Sequence, residues 1–522
     1  MTNINRGRGA WLVVLAFVVL CLPYTYRLGD VPLVKVDEMW GAQPSWEIWT
    51  HGRFALPAFK GQLHQDVATF FHPPGYYIVN APFMGVLHPS TWSVRVAPTL
   101  FALLAFIVHY RVLRRALGDD ARAPAFALTG VALAAWNPLT FALSRHGRPE
   151  TWILFLATSA IVLLLRDPAA APRGTAGDRQ RSWPPFAAGV LSGYAFFSHY
   201  WAWVLPGAVA MFLLQRRAWR SLALYAAGTA VFVAVTAAWI LTNRADFTAE
   251  LLWHRSSYLT HSTGGYLAKR LADHLVILRD ARATCTWWLE AVLVALLALP
   301  SARGLRARTL ALLVTVHALV VLFPRPSAYY TIAIAWFCAG AIAVVAAAAW
   351  RASNAGGWTR RTVAVGLAVA IAVPAALLGY MIWRDRDASY AAAFQPLRQA
   401  VDRADPSRTG VTVGSEIQYF AFWDRPFLVR WNPYLWRDVP SQDPDSLIHR
   451  WRAIGVRFVL TSSFMPTATP LGPFEPEADR ALVDRLRERG RLLAQAPTWF
   501  YGEPEHKYER ATVDVIDIGA AR

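Results

Sequence analysis

Charge is scarce in this sequence. Only 16% of its 522 residues are Asp, Glu, Lys or Arg, and 55% are hydrophobic; an ordinary soluble protein carries about 25% charged residues. The deficit is uneven. Residues 10–383 are apolar runs cut by short arginine-rich loops, whereas 384–522 has soluble composition. A bilayer core about 30 Å thick takes about 20 apolar residues per helix, and many of these runs approach that length. A purely soluble chain is thereby excluded. Cysteine is nearly absent: Cys21, Cys285 and Cys338 lie in or beside apolar runs, so no disulfide framework holds the tail. No A-x-A-like cleavage site follows the run 10–23 before Arg27, so a signal peptide gives way to an uncleaved first helix. The tail shows no phosphate loop, metal-ligand spacing or nucleophile elbow, which leaves it packing, acceptor-binding or lid roles rather than catalysis. No internal repeat is visible.

What is present is basic. The net charge of +18 would suit a nucleic-acid partner, but the arginines sit in the loops between apolar runs, as in a membrane protein obeying the positive-inside rule. Arg6 and Arg8 place the N-terminus in the cytoplasm. Helix 10–28 then runs outward, and 29–95 forms a large outer loop whose apolar piece 75–87 lies at the interface. Helices follow at 96–113, 123–144 and 151–165. Residues 186–214 form two spans broken around Ser198-His199-Tyr200, and 220–242 leads to a second outer loop, 243–283. The remaining helices are 284–300, 309–323, 329–349 and 361–383. Inward ends land on arginines such as Arg114, Arg217, Arg306 and Arg361. The expected architecture is therefore a polytopic α-helical membrane domain, 1–383, with about eleven transmembrane helices. A small extracytoplasmic α/β domain, 384–522, follows it. In that domain 393–404, 445–454 and 477–495 read as helices, the last with Leu482, Leu486 and Leu493 on one face. Val411–Val413, Arg457–Leu460 and Thr512–Val515 read as strands.

Chemistry-bearing residues gather in the outer loops. Asp37-Glu38 follows the first helix; a carboxylate at a partly desolvated interface suits a general base, while an acid opening a helix equally suits a cap. His72-Pro73-Pro74-Gly75-Tyr76-Tyr77 precedes the interfacial piece, its prolines setting the entry angle. Its histidine fits a phosphate or sugar, or the headgroup layer. His51, His64, Asp66 and His72 share no recognised metal spacing, so no metal and no cofactor are expected. Ser144-Arg145-His146-Gly147-Arg148-Pro149-Glu150 closes helix 123–144. A guanidinium there suits a phosphate, or snorkels to the interface with Glu150 as partner. His199 and Arg325, the latter between Pro324 and Pro326, lie on the same outer side.

Four local patterns, in order, resemble the GT-C superfamily of membrane glycosyltransferases, nearest the branch of dolichyl-phosphate-mannose protein mannosyltransferases and bacterial aminoarabinose (lipid A) transferases. They are Asp37-Glu38, the turn His72–Tyr77, Trp92-Ser93-Val94-Arg95, and Ser144-Arg145-x-x-Arg148-Pro149-Glu150, with Pro324–Tyr330 similar as well. The likeness covers roughly 10–350. It implies inverting transfer from a polyprenyl-phosphate sugar to a protein, lipid or glycan hydroxyl, at the outer face of a bacterial plasma membrane. It implies Asp37 as base, with Glu38 supporting it or the acceptor. Arg148 and Arg325 would lie on the carrier phosphate, Glu150 would orient the sugar or Arg148, and His72, Tyr76 and His199 would bind substrate. His72 and His199 stand where that branch commonly carries lysine. The competing classes are a secondary transporter and a non-enzymatic membrane protein; against the former, the helices are nearly free of acids.

Overall fold

The computed structural model describes residues 2–35, 37–70, 72–165, 183–259, 281–321, 328–352, 357–430, 432, 435, 443–462, 476–499 and 510–519. Its membrane part contains α1 (Thr2–Thr25), α2 (Asp37–His51), α3 (Gly75–Leu87), α4 (Ser93–Leu117), α5 (Ala123–Ala135), α6 (Pro138–Ser144), α7 (Glu150–Leu164), α8 (Trp183–Ser198), α9 (Val204–Gln215) and α10 (Trp219–Thr242). These are followed by α11 (Arg244–Leu259), α12 (Ala281–Ala298), α13 (Arg303–Val321), α14 (Ile332–Ala352) and α15 (Trp358–Arg384).

Among the described residues, four helices are long and apolar enough to cross a membrane: Ser93–Leu117, Trp219–Thr242, Tyr329–Ala352 and Trp358–Arg384. Two bent pairs bring the number to as many as six. Trp11–Thr25, Glu150–Leu164 and Tyr200–Gln215 are shorter apolar helices, so the expected eleven included short helices and half-spans.

Two expected helices are differently built. The segment 123–144 is broken by 67° between α5 and α6. Pro138 has no N–H to continue a helix, and Asn137 caps the new one by accepting from Leu139 N (2.9 Å) and Thr140 N (3.3 Å). The expected basic loop after 284–300 is the tight turn Pro300–Ala302, where α12 and α13 meet at 93°. Arg306 explains it: Nε donates to Leu297 O (2.7 Å) and Nη2 to Ala298 O (3.1 Å), satisfying the last carbonyls of α12. The expected break around His199 is present, as a 3₁₀ turn Tyr200–Trp203 between α8 and α9.

The tail holds α16 (Tyr390–Ala404), α17 (Pro444–Ala453), α18 (Pro476–Arg489) and a five-stranded sheet ordered β2-β1-β3-β5-β4. Its strands are β1 (Val411–Gly414), β2 (Phe427–Val429), β3 (Val456–Ser462), β4 (Arg491–Trp499) and β5 (Arg510–Asp517). β1 runs parallel to β2 and β3, with Val413 opposite Leu428 and Val459. β5 runs antiparallel to β3 and β4, with Val515 opposite Leu460 and Ala494. Helix 477–495 is shorter than expected. Gly490 follows α18, and Leu493 lies in β4 rather than on the helical face of Leu482 and Leu486.

The tail packs on the loop that follows α1. One apolar core joins Val34, Met39, Ala42, Leu56 and Phe59 to Phe394, Leu397, Phe420, Phe458 and Val515. Polar contacts pin the seam: Tyr390 N donates to Asp30 Oδ1 (2.8 Å), and Asn432 Nδ2 to Lys60 O (2.9 Å). The face of α2 opposite its membrane-side neighbours is thereby covered, which sets the helix that carries the acidic pair.

Candidate functional site

Two glycines let the loops meet. A Cβ on Gly41 would stand 1.9 Å from Gly147 O, so α2 and the 145–149 turn touch backbone to backbone. A Cβ on Gly75 would stand 2.7 Å from Phe197 O, which brings the His72 turn against the end of α8. Tyr194 Oη seals that contact by donating to Gly75 O (3.1 Å).

The first contact joins Asp37 and Arg148, 111 residues apart. Arg148 Nη1 donates to Asp37 Oδ2 (2.7 Å), while Nη2 and Nε donate to Glu150 Oε1 (2.7 and 3.0 Å). Side-chain exposure is graded: 32% for Asp37, 11% for Arg148 and none for Glu150. Glu150 opens α7, where the helix N-terminus favours a negative charge. Arg148 lies over the Tyr329 ring at 4.2 Å from its centre, and Lys35 Nζ donates to Tyr329 Oη (2.9 Å). The result is a partly exposed carboxylate steadied by a guanidinium, whose own position is set by a buried acid and an aromatic face. Among the described residues the Asp37 side chain accepts no hydrogen bond besides the one from Arg148.

The two acids of the pair diverge. Glu38 is fully buried, and both its oxygens accept from Arg95, Oε2 from Nε and Oε1 from Nη2 (each 2.7 Å). Oε1 also accepts from Lys35 N (2.9 Å), and Arg95 Nη1 donates to Leu28 O (3.0 Å). Glu38 thus ties α4 to the segment entering α2. Arg145, equally buried, donates to Pro23 O (2.7 Å) and Tyr26 O, the free carbonyls ending α1. Of the basic residues in 144–150, Arg148 is the one that reaches the Asp37 carboxylate.

His72 and His199 form a second pair, with ring centres 4.1 Å apart. His199 packs on Tyr330 at 5.9 Å, the residue after Tyr329, so the two pairs flank the same short turn. Tyr76 is buried beneath, within electrostatic reach of Arg148 and Glu150. Arg325 lies outside the described residues. The histidines weighed as metal ligands go elsewhere, His51 to Glu47 (3.1 Å) and His64 to Asp246 (3.2 Å). Among the described residues no three His, Cys, Asp or Glu side chains converge as metal ligands.

Lys35, Tyr329 and Arg95 were given no role from sequence. Arg95 had a signal, since it closes Trp92-Ser93-Val94-Arg95. Lys35 had only its position two residues before Asp37. For Tyr329 the sequence offers the Pro324–Tyr330 stretch and nothing that says what the ring meets.

This arrangement can be set beside known proteins. A family model described as dolichyl-phosphate-mannose-protein mannosyltransferase matches residues 71–241. No curated protein matches the chain. The fold is similar to that of ArnT from Cupriavidus metallidurans, solved bound to undecaprenyl phosphate: TM-score 0.59, 16% identity, 97% of this chain and 98% of that one covered. It is also similar to the archaeal oligosaccharyltransferase AglB from Archaeoglobus fulgidus, solved with an inhibitory peptide and a dolichol-phosphate. There the TM-score is 0.56 and the identity 11%, with 96% of this chain and 74% of that one covered. The resemblance read from the local patterns is borne out: the chain has the GT-C membrane glycosyltransferase fold, with its small sheet at the C-terminus.

Proposed function

We propose that this protein is an inverting glycosyltransferase. It moves a sugar from a polyprenyl-phosphate carrier to a hydroxyl of a protein, lipid or glycan, at the outer face of a bacterial plasma membrane. The observation that carries the proposal is the Asp37–Arg148–Glu150 triad (2.7 Å at both ends) in a GT-C fold. Asp37 is the general base. Its carboxylate takes the acceptor's hydroxyl proton as the acceptor oxygen bonds to the anomeric carbon, and the bond from that carbon to the carrier phosphate breaks. The polyprenyl phosphate leaves with the electron pair. Attack opposite the leaving phosphate inverts the centre.

Arg148 has a double duty in this reading. Paired with Glu150, it points Asp37 outward, and its charge with that of Lys35 favours a leaving phosphate near the Tyr329 ring. His72 and His199 extend the same donor side, and Arg325 is assigned to the phosphate by its place at the outer end of 309–323. No divalent cation enters the scheme. The N-terminus is cytoplasmic and the tail extracytoplasmic, supported by arginines at the inward ends of the helices. The test is comparative mass spectrometry of glycans, glycolipids and glycoproteins from a deletion strain, complemented with wild type or Asp37→Asn. One hexosyl or pentosyl unit should vanish from one acceptor class, returning with wild type alone. A species restored equally by Asp37→Asn overturns the assignment of the base, and unchanged profiles overturn the transferase.

A further inference from the structure

Glu250 lies in α11, the helix of the second outer loop, outside the groups described so far. It is 1% exposed, an unusual place for a carboxyl. Its Oε2 accepts from Phe70 N (2.9 Å), 180 residues away and two residues before His72. Phe70 is gripped on its other atoms too. Its carbonyl accepts from Tyr200 Oη (3.5 Å), next to His199, and its ring packs on Trp239 of α10 (4.8 Å) and Phe247 of α11 (6.2 Å). One turn before Glu250, Asp246 meets His64 at 3.2 Å.

We infer that Glu250 is a positioning residue: its buried carboxyl latches α11 to the 64–70 segment and so sets where the His72 turn stands relative to His199. The inference rests on the proposed function insofar as His72 and His199 bind the carrier phosphate; the latch itself rests on the Phe70 contact. It is a protonation-sensitive latch. The charged and titratable groups facing it are Asp246 on α11, His64 on the outer loop and Tyr200 on the 3₁₀ turn. Gln65 and Thr69 supply neutral polar groups. Burial is the largest influence on the Glu250 carboxyl and pushes it up to about 7 from an ordinary 4.5. It outweighs the hydrogen bonds from Gln65, Phe70 N and Thr69 that hold it down, while Asp246 adds to the rise. An acid held more tightly protonated when docked favours docking at low pH. That advantage is complete below about 4.5 and is lost as the pH climbs through about 7. The ionised group docks more weakly by up to about two orders of magnitude.

Two measurements on the full chain in nanodiscs test this. The first is amide exchange of the peptide covering 64–72, corrected for intrinsic rate, from pH 5 to pH 8. Wild type should exchange at least tenfold faster at pH 8 than at pH 5. Glu250→Gln keeps an acceptor for Phe70 N without titrating, so it should stay protected throughout, and Glu250→Ala should be open throughout. Wild-type protection that is flat with pH and unchanged in Glu250→Ala overturns the latch. The second is binding of undecaprenyl phosphate. Glu250→Ala should bind about tenfold more weakly, with Glu250→Gln restoring affinity at both pH values. If exchange follows the latch pattern while no variant binds undecaprenyl phosphate, the latch stands and the carrier reading falls. If wild type and Glu250→Ala bind equally, Glu250 does not position the site.

Discussion

Asp37 and Glu38 are neighbours with opposite environments, and substitution should separate them cleanly. Asp37 is a third exposed and, among the described residues, its side chain has a single hydrogen-bond partner, whereas Glu38 is fully buried in a two-pronged pair with Arg95. Asp37→Asn keeps the shape and removes the basicity, so turnover should fall by about 10²–10⁴. Thermal stability of the same purified protein should stay close to wild type. Near-normal turnover would end its assignment as base. Glu38→Ala strands Arg95 in a site with no exposure, which costs about 3–5 kcal/mol. The expected result is lost folded yield, with residual turnover per folded molecule well above that of Asp37→Asn. Replacing both partners, Glu38→Leu with Arg95→Met, should recover part of the yield, because no charge is then left unpaired. A double variant no better folded than Glu38→Ala would contradict this account of the pair.

Between α2 and the turn before α7, contact depends on Gly41. Since the Gly41 Cβ would fall 1.9 Å from a backbone carbonyl, no rotamer change can relieve it, and α2 must slide. Gly41→Ala should cost about 1–3 kcal/mol as an overpacked contact and pull Asp37 off Arg148, so activity falls further than stability. Gly379→Ala in α15, where an added Cβ meets nothing within 4 Å, is the control and should be neutral in both assays. Equal behaviour of the two variants would refute the close-approach argument. The bent elements follow the same logic of local satisfaction. Asn137 and Arg306 supply the caps that let helices turn by 67° and 93° without leaving their ends unbonded.

At the scale of the whole molecule, the C-terminal sheet with its helices and the loop that follows α1 share one core. Met39 and Ala42 of α2 are buried against Phe394, Phe420 and Phe458 of the tail. Phe458→Ala should cost about 3–5 kcal/mol by the cavity it leaves. It should also lower transfer, although the residue lies in a separate sheet, because α2 carries Asp37. Unchanged transfer by the destabilised but folded protein would show that the tail does not set α2. Topology is tested from the same end of the chain. Alkaline phosphatase fused after Arg522 should be active, and a reporter active only in the cytoplasm should be silent. The reverse result would overturn the orientation drawn from the arginine loops.

By itself the sequence determined the membrane class, the approximate positions of most apolar helices, the tail's α/β character and the neighbourhood of the candidate site. These are properties of short windows, such as hydropathy, loop arginines and local motifs, and a linear chain displays them directly. It determined less where a window was ambiguous: residues 491–495 read as the end of a helix, and pairing with β5 makes them part of a strand. The partners in the site were decided by tertiary structure alone. Glu38 meets Arg95 across 57 residues, Asp37 meets Arg148 across 111, Phe70 meets Glu250 across 180 and Lys35 meets Tyr329 across 294. Composition does not distinguish Arg145 from Arg148, two arginines in one seven-residue stretch, and only the family resemblance singles out Arg148. Their difference arises because one faces the carbonyls ending α1 and the other faces the Asp37 carboxylate. Two adjacent acids at one helix start likewise differ in exposure, and only the packing around that start decides which is sealed and which stays partly exposed.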